Sequence, residues 1–480
     1  MRRFWLALLA FLGAACITAA IAIPLFLVPM LRVVPLNLDI TSVSTTVPED
    51  GSTGERFPAR IFDRCSLNGA RAQVLDAHLT QQRRTLIVQP SDRRQATIQS
   101  AQTVQVDRTR DAAGKETVPT MAAADSERKC DDGLLDATID RVSVNRNTAV
   151  PNGTVSSLQL EAAPQGVNVK DVSVDLPDRK GFQYKFGFDV KKRSYFYYDD
   201  IIRADTPVKF AGEKTIDGLT TYEFVGDSPE TDLSSLPNAQ GEAALGTMLT
   251  MPAKWWGISG PGVKPGDSVT MHRYATATRH IWVEPATGTI IDAIEDQHQY
   301  FKSPDQSDDT PAPIRNLTVD VLKGRFQWAD QTIAYQVNKA HGYRNELRLG
   351  SFWLPLILGI VGVVLLALWA LLLRRARRRG DDGAVGTDAA ATGWLAEQPR
   401  DDDVHPEHVH TEGVPADGTE QLVQQDGRHN VAATEAPTEV HRPVVDHSAL
   451  DPWDRPTEQI PIIRDDEPNT NVTRHSRPEE

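Results

Sequence analysis

The sequence predicts a mainly β domain between two transmembrane helices, followed by a disordered C-terminal tail. Three observations predict it. Apolar segments lie at residues 4–31 and 351–373, short alternating apolar runs lie between them, and the composition after residue 380 is polar and acidic. A bilayer needs roughly 20 apolar residues per helix, so either segment can span it. The chain of 480 residues has room for more than one domain.

The first apolar segment has a competing interpretation as a signal peptide. Arg2 and Arg3 precede the apolar run, and Ala20-Ile21-Ala22 resembles a cleavage site. Cleavage there would leave a chain beginning IPLFLVPML, which is a poor start for a soluble domain. We therefore predict an uncleaved transmembrane helix or signal anchor at residues 4–31, with cleavage as the alternative.

The arginines predict the orientation of both spans. Arg2 and Arg3 lie just before the first span, and the cluster RRARRR at 374–379 lies directly after the second. Cytoplasmic flanks of membrane helices are enriched in Lys and Arg. We therefore predict a two-span protein of the plasma membrane, with residues 1–3 and 374–480 cytoplasmic and residues 32–350 forming one extracytoplasmic domain.

The predicted extracytoplasmic domain contains many short strand patterns with Gly or Pro punctuation, which favours a sandwich or a barrel with minor helix. Its clearest element is a hairpin at 279–300, in which Pro285 and Gly288 suit the turn. A helix is predicted at 71–84, and a weaker one leads into the second span. The other predicted strand regions are 33–43, 85–90, 96–100, 102–107, 137–144, 182–190, 194–199 and 208–227.

Two cysteines, Cys65 and Cys130, fall in the predicted outer domain. Disulfides persist outside the cytoplasm, so we predict that these two form a bridge. It would close a loop of about 65 residues and contribute roughly 4 kcal/mol by loop entropy. The alternative is two buried free thiols, or two cysteines too far apart to join.

The negative net charge belongs to the tail. The whole chain carries −14, but residues 380–480 hold 23 acidic and seven basic side chains, so residues 1–379 carry +2. No strongly basic surface predicts a nucleic-acid partner. The tail has too few large apolar residues to form a core, which predicts disorder. Its apolar sequence IPII at 460–463 is either a docking motif or part of a spacer.

No pattern of catalytic or metal-binding residues is evident, so we expect neither an enzyme nor a cofactor. His280 and His298 are interpreted as a surface pair, because a metal site needs more ligands. Asp199-Asp200 is interpreted as the end of a strand. The histidine-rich stretch at 401–410 is interpreted as solvated polar sequence rather than a cation site.

Two groups of aromatic residues are the candidate ligand-binding residues. One lies on a predicted strand and comprises Tyr195, Phe196, Tyr197 and Tyr198. The other, Trp255 and Trp256, lies in a Gly/Pro-rich loop, where a tandem Trp also suits a membrane interface. The alternative for both groups is packing in the core.

Residues 1–380 resemble a family of two-pass membrane proteins of mycobacteria, corynebacteria and other actinobacteria. The resemblance rests on the Arg-led first span, FDVKKRSYFYYD at 188–199, IWVEPATGTII at 281–291, and the second span followed by arginine. That family is of unknown function and carries the label porin-A-like. The resemblance implies a role in envelope assembly, linked to maturation of lipomannan into lipoarabinomannan, and an outer domain similar to the lipid-binding scavenger receptors of animals.

Three hypotheses follow. The first is a non-catalytic factor of the plasma membrane that binds a lipid or lipid-linked glycan and works beside envelope-synthesis enzymes. The second is a porin or channel, although the outer strands are too polar for contact with lipid. The third is an envelope sensor that signals through its cytoplasmic tail.

Overall fold

The computed structural model describes residues 2–50, 52, 54–121, 129–159, 173–237 and 246–381. The predicted tail disorder, the histidine-rich stretch at 401–410 and the IPII sequence lie outside these residues. The tail-based sensor hypothesis therefore stays a prediction.

The domain between the two apolar helices is mainly β, as predicted. Its strands are β1 (Asp39–Val47), β2 (Ala59–Phe62), β3 (Val74–Val88), β4 (Gln95–Arg110), β5 (Glu116–Thr117), β6 (Leu134–Asn145), β7 (Pro151–Gln159), β8 (Ser173–Asp175), β9 (Tyr195–Asp199), β10 (Ala204–Ile216), β11 (Leu219–Asp232), β12 (Met248–Pro252), β13 (Ser268–Glu284), β14 (Thr289–Lys302) and β15 (Thr318–Trp328).

The described strands form one sheet with antiparallel neighbours. The main path runs β8-β7-β6-β4-β3-β1-β15-β14-β13-β11-β10-β9, while β2, β5 and β12 pair beside it. The chain thus places β1 between β3 and β15, which are separated by more than 200 residues of sequence. This arrangement brings the beginning and the end of the domain together in the middle of the sheet.

The helices lie mostly at the two ends of the described chain. They are α1 (Arg2–Ala22), α2 (Val28–Leu31), α3 (Ala253–Trp256), α4 (Ala312–Arg315), α5 (Asp330–Arg348) and α6 (Leu354–Asp381). Short π-helical turns, Ile23–Leu27 and Leu349–Trp353, join α1 to α2 and α5 to α6. Helix α5 therefore continues directly from the β domain into the second apolar segment, and the prediction of helix there is confirmed.

The two apolar helices pack on each other at a pair of glycines. A Cβ atom on Gly362 would lie 2.7 Å from Ile17 Cγ1 and 3.0 Å from the Gly13 carbonyl oxygen. Small residues allow helices to approach closely in membranes, where packing rather than the hydrophobic effect joins them. Away from this crossing both helices expose large apolar side chains, such as Phe11 and Val363, which fits a membrane location.

The helix predicted at 71–84 is wrong: these residues belong largely to β3. Ala77 and Leu79 are fully buried at alternate positions, and the strand pairs with β4 along most of its length. Alternation and helical spacing overlap in short apolar patterns, so tertiary pairing decided the outcome. The separate strands predicted at 96–100 and 102–107 are likewise one strand, β4. The strand predicted at 33–43 begins only at Asp39.

The strand predicted at 182–190 is also wrong. Residues 176–194, which we call the inner segment, have no regular strand and touch β9 through one isolated bridge, between Phe182 and Tyr197. The ring of Phe186 instead stacks on that of Phe224, inside an aromatic core. The alternation in this stretch reflects burial of aromatic rings rather than pairing in a sheet.

The predicted hairpin is confirmed as β13 and β14. Gly288 has a φ of 70°, in the left-handed region that favours glycine. A side chain at this position would also collide with the carbonyl oxygens of Phe186 and Gly187. The inner segment therefore packs directly against this turn, and the Phe186 N–H donates a hydrogen bond to the Gly288 carbonyl oxygen at 2.9 Å.

The predicted disulfide is confirmed. Cys65 and Cys130 are bonded, with 4.8 Å between their Cα atoms. Near the bridge, the Arg64 guanidinium donates to the Leu134 carbonyl oxygen at 3.0 Å. The bridge therefore fastens the segment that leads into β6 to the turn before β3.

Candidate functional site

One cavity of the described domain is a cleft between strands of the sheet and the inner segment. It is bounded by β1 and β3 on one side, by β9, β13, β14 and β15 on the other, and by the inner segment. Counted with its open mouth, the cleft encloses about 910 Å³ of space outside atoms. We call it the polar cleft; its polar lining includes Gln81, Arg83, Tyr184, Tyr197, Tyr198, Asp200, Glu295 and Gln336.

A buried ion pair forms one wall of the polar cleft. The Arg279 guanidinium contacts the Asp199 carboxylate at 2.7 Å and also pairs with Glu295. Burial alone would raise the pKa of Asp199, but the charge and hydrogen bond of Arg279 outweigh it and hold this pKa below its usual value. Asp199 is therefore an ionised structural group that joins β9 to β13.

The next residue, Asp200, projects into the cleft and behaves differently. Its carboxylate lies 4.0 Å from the Arg83 guanidinium and accepts no hydrogen bond from any residue that the structure describes. Burial raises the pKa of Asp200 to about 6, although the charge of Arg83 opposes the change. Asp200 is thus a poorly solvated acceptor, available to a ligand at neutral pH.

A second buried network adjoins the polar cleft. The Arg179 guanidinium donates to both carboxylate oxygens of Asp140, at 2.6 and 3.1 Å, and lies 3.7 Å from the ring centroid of Tyr198. The Tyr184 hydroxyl donates to the same carboxylate at 2.6 Å. Because Asp140 lies on β6 and Tyr198 on β9, this network holds the inner segment between two distant strands.

Three polar atoms of the cleft lining have no hydrogen-bond partner among the described residues. They are Gln81 Nε2, Gln336 Oε1 and the Tyr198 hydroxyl oxygen. Buried polar groups are normally paired, because each unpaired one costs about 1–3 kcal/mol. These three atoms are themselves shielded from solvent, so they are unsatisfied polar groups in the wall of the cleft, beside the charges of Arg83 and Asp200.

The structure separates the four predicted aromatic residues of β9. Tyr197 and Tyr198 line the polar cleft, and the Tyr197 hydroxyl donates to the Gln183 oxygen at 3.2 Å. Tyr195 packs instead in the aromatic core beside Phe224. Phe196 points away and is 54% exposed. Two of the four are therefore placed where a ligand in the cleft would contact them.

Trp255 and Trp256 are placed elsewhere. They form the end of the short helix α3 and are buried in a core with Phe62 and Phe301. Their indole N–H groups donate to the Ser66 oxygen at 3.2 Å and the Val269 oxygen at 3.1 Å, respectively. This placement matches the alternative of core packing, and it puts neither indole in the polar cleft.

The two histidines interpreted as a surface pair have separate partners. His280 contacts Glu223 at 2.9 Å, and His298 contacts Asp320 at 2.9 Å. In the hairpin register His280 lies opposite Ile294, so the rings do not face each other. Among the described residues no three His, Cys, Asp or Glu side chains are grouped to hold a metal ion.

The charged residues of the cleft were missed by the sequence analysis. Arg83 lay inside the predicted helix at 71–84, and Asp200 was interpreted as the end of a strand. One signal could have indicated Arg83. In β3 the polar side chains of Gln81 and Arg83 continue the alternate face on which Ala77 and Leu79 are buried, as expected when a strand passes from a core to a polar cavity.

A smaller pocket adjoins the polar cleft. It encloses about 410 Å³, counted with its mouth, and we call it the basal pocket; its lining includes Leu38, Ile40, Lys185, Lys339 and Tyr343. Four residues line both cavities, namely Ile40, Tyr184, Ile290 and Gln336. The two cavities thus share a wall.

Comparison with known proteins gives concordant matches. A family model described as Porin PorA matches residues 6–371. A protein named Porin PorA from Corynebacterium amycolatum is 28% identical over 393 residues, which cover 74% of this chain and 94% of the relative. A protein of the same name from Corynebacterium resistens is 28% identical over 430 residues, covering 79% and 98%, respectively.

Proposed function

We propose that this chain, which belongs to the Porin PorA family, is a non-catalytic binding protein of the cell envelope, whose polar cleft holds the glycan of a lipid-linked glycan. The observation that carries this proposal is the combination, in one cleft, of the Arg83 and Asp200 charges with unpaired polar atoms and the rings of Tyr197 and Tyr198. Sugars present hydroxyl groups that donate and accept hydrogen bonds, and they present apolar faces that pack on aromatic rings.

The proposed topology is that of a two-span protein of the plasma membrane. Residues 4–31 and 351–373 cross the bilayer, residues 32–350 lie outside, and residues 1–3 and 374–480 lie in the cytoplasm. The arginine placement supports this orientation. A membrane-impermeant protease applied to intact cells should cut within 32–350 and spare the tail, and the reverse pattern would contradict the orientation.

A binding role is favoured over hydrolysis by the state of the carboxylates. Hydrolysis of a glycosidic bond normally uses a pair of carboxyl groups beside the scissile bond. In the cleft, Glu295 is ion-paired with Arg279, and Asp199 is buried behind it. Among the described residues this leaves Asp200 as the cleft carboxylate outside a hydrogen-bonded ion pair, which suits recognition better than acid–base chemistry.

Envelope assembly is the proposed cellular role. The resemblance to the actinobacterial family supports a part in maturation of lipomannan into lipoarabinomannan, in which the protein would present its lipid-linked ligand to envelope-synthesis enzymes. A strain that lacks the protein should accumulate lipomannan and lose lipoarabinomannan. An unchanged lipoglycan profile would remove this role.

The binding proposal is tested on the full chain purified from native membranes. Solvent extraction of the wild-type protein should release a glycolipid, and Arg83→Gln or Asp200→Asn should release clearly less per mole of protein. The matched control is Arg325→Gln, since Arg325 lies outside the cleft lining and pairs with Asp296 at 3.5 Å. If wild type and cleft variants yield equal amounts, the cleft is not the binding site.

A channel is the second candidate, favoured by the printed name of the two corynebacterial relatives. Both described spans are apolar, so a water-filled path would require several copies of the chain around it. Stable conductance steps of the purified full chain in a planar bilayer would support a pore. Their absence would leave the binding role.

A further inference from the structure

Lys185 is a buried cation that borders the basal pocket. Lys185 is 7% exposed, and its ammonium group donates one hydrogen bond, to the Thr287 carbonyl oxygen. The ring of Phe188 lies 4.9 Å from the nitrogen. An ammonium has three donors, so this one has spare capacity within the described structure.

The carboxylate whose charge acts on this cation, that of Glu284, does not pair with it. Glu284 accepts from the Ala286 N–H at 3.2 Å and from the Thr287 N–H and hydroxyl at 2.8 and 2.7 Å. It is therefore engaged in the hairpin turn. Burial lowers the pKa of Lys185 to about 8, against the opposing charge of Glu284. The charged form of Lys185 is thus short of compensating anions.

The rest of the basal pocket adds positive charge and apolar surface. Lys339 lies on α5 and has no anionic partner among the described residues. The carboxylate of Asp39 also lines the pocket, but it is already paired with Arg84 at 3.1 Å. Leu38 and Ile40 supply apolar walls. A ligand with an anionic group and an attached apolar chain would match both the positive charge and the apolar surface of this lining.

The position of the basal pocket favours a ligand that comes from the membrane. Leu38 follows the end of the first apolar helix at Leu31 by seven residues. Tyr343 lies on α5, eight residues before the second apolar segment begins, which corresponds to about 12 Å of helix. Both connections between the spans and the β domain therefore contribute to the lining.

We propose that the basal pocket binds the anionic group, phosphate or carboxylate, of a membrane amphiphile, and that Lys185 and Lys339 recognise it. This inference deepens the proposed function, because one lipid-linked glycan would then place its charge in the basal pocket and its glycan in the adjoining polar cleft. A ligand with a charge and a chain but no glycan tests the basal pocket separately.

The probe is dodecyl phosphate, added to the full chain in an uncharged maltoside detergent, with bound molecules counted by native mass spectrometry. Dodecanol tests whether the charge matters, and inorganic phosphate tests whether a free anion suffices. The variants are Lys185→Met and Lys339→Gln. The matched control is Lys214→Gln, because Lys214 lies over the Trp282 ring, outside the basal pocket.

Wild type and the Lys214 variant should bind dodecyl phosphate at least about tenfold more tightly than dodecanol, and Lys185→Met should lose about tenfold or more, as for a charge-assisted hydrogen bond. Lys339→Gln, at a half-buried position on α5, should lose less, and it still tests the pocket if the Lys185 variant fails to fold. Equal affinity for phosphate ester and alcohol, or unchanged binding in both lysine variants, would overturn the inference.

Inorganic phosphate distinguishes the source of the anion. It should compete only weakly, because it lacks the apolar chain. If it binds as tightly as dodecyl phosphate, the site is one for free anions and the membrane amphiphile is wrong. Neither result alters the test of the polar cleft, because that test measures the glycolipid extracted from the wild type and from the Arg83 and Asp200 variants.

Discussion

At the scale of single residues, two adjacent aspartates show how position decides chemistry. Asp199 points to Arg279 and Ser228, so its carboxylate is stabilised and its pKa is lowered. Asp200 lies in the turn just after β9 and lines the polar cleft, where burial raises its pKa to about 6. The two neighbouring carboxylates differ because Asp199 has a guanidinium within hydrogen-bond distance and Asp200 does not.

The first prediction concerns Asp200→Asn. A carboxyl whose folded-state pKa is raised from 3.8 to about 6 destabilises the folded state above pH 6, and the cost fades as pH falls toward 4. The variant should therefore be more stable than wild type at pH 7.5, by up to about 3 kcal/mol, with no difference near pH 4. Chemical denaturation of the full chain at both values measures this.

Asp305→Asn is the control with the opposite sign. Hydrogen bonds from Thr310 and Ser307 lower the pKa of Asp305 to about 2, so its ionised form stabilises the folded state above pH 4 and loses that effect as pH falls toward 2. The Asp305 variant should be less stable than wild type at pH 7.5. A gain in both variants would mean that loss of negative charge in general, rather than burial of Asp200, stabilises the protein.

The second prediction concerns the buried cation between β9 and β13. Arg279→Met leaves Asp199 charged, buried and without its guanidinium partner, which should destabilise the protein by roughly 3–5 kcal/mol. Adding Asp199→Asn should recover part of the loss, because the uncompensated charge is removed. Arg325→Met, at a more exposed pair, should cost about 1 kcal/mol or less. Equal losses for the two arginines would contradict a special role for burial.

At the scale of elements, the β domain continues directly into the second apolar helix. Helix α5 runs without a loop into α6, and α1 crosses α6 at the pair Gly13 and Gly362. The β domain is therefore attached to a packed helix pair, and the basal pocket lies between the two attachment points. The lining of the basal pocket therefore includes residues close in sequence to both apolar helices.

The third prediction compares two glycines in this continuous helix. Gly362→Ala should destabilise the helix pair by about 1 kcal/mol or more, because its Cβ would meet Ile17 and the Gly13 backbone. Gly342→Ala has nothing within 4 Å and should stabilise α5 by up to about 1 kcal/mol through helix propensity. Thermal unfolding in detergent measures both. A similar gain at the two positions would show that the helices do not cross at Gly362.

At the scale of the whole molecule, the disulfide ties together parts of the sheet that lie far apart in sequence. The fourth prediction is that replacing both Cys65 and Cys130 by Ala costs roughly 4 kcal/mol, because a loop of 65 residues is released in the unfolded chain. The measurement compares the unfolding free energy of the double variant with that of the wild type after reduction of its disulfide. The two should agree, and a loss under about 1 kcal/mol would mean that the unfolded chain gains little freedom.

The sequence by itself determined the two apolar helices, the β13–β14 hairpin and the cysteine pair. These depend on composition, on periodicity within about twenty residues, and on a turn that Pro285 and Gly288 indicate in the local sequence. It also placed Tyr197 and Tyr198 among the candidate binding residues. Local physics suffices for the helices and the hairpin, because the interacting groups are neighbours in the chain, whereas the cysteine pair followed from the predicted compartment.

The tertiary structure decided which residues line the polar cleft and that β3 is a strand rather than a helix. Arg83 lies on β3 and Asp200 directly follows β9, and these two strands are far apart in the sheet order. Arg279 meets Asp199 across 80 residues of sequence. Whether a polar side chain faces a cavity, a partner or solvent depends on which strands lie opposite, and strand order leaves no local periodic signal. Residues 71–84 became a strand for the same reason, since pairing with β1 and β4 outweighed their helical pattern.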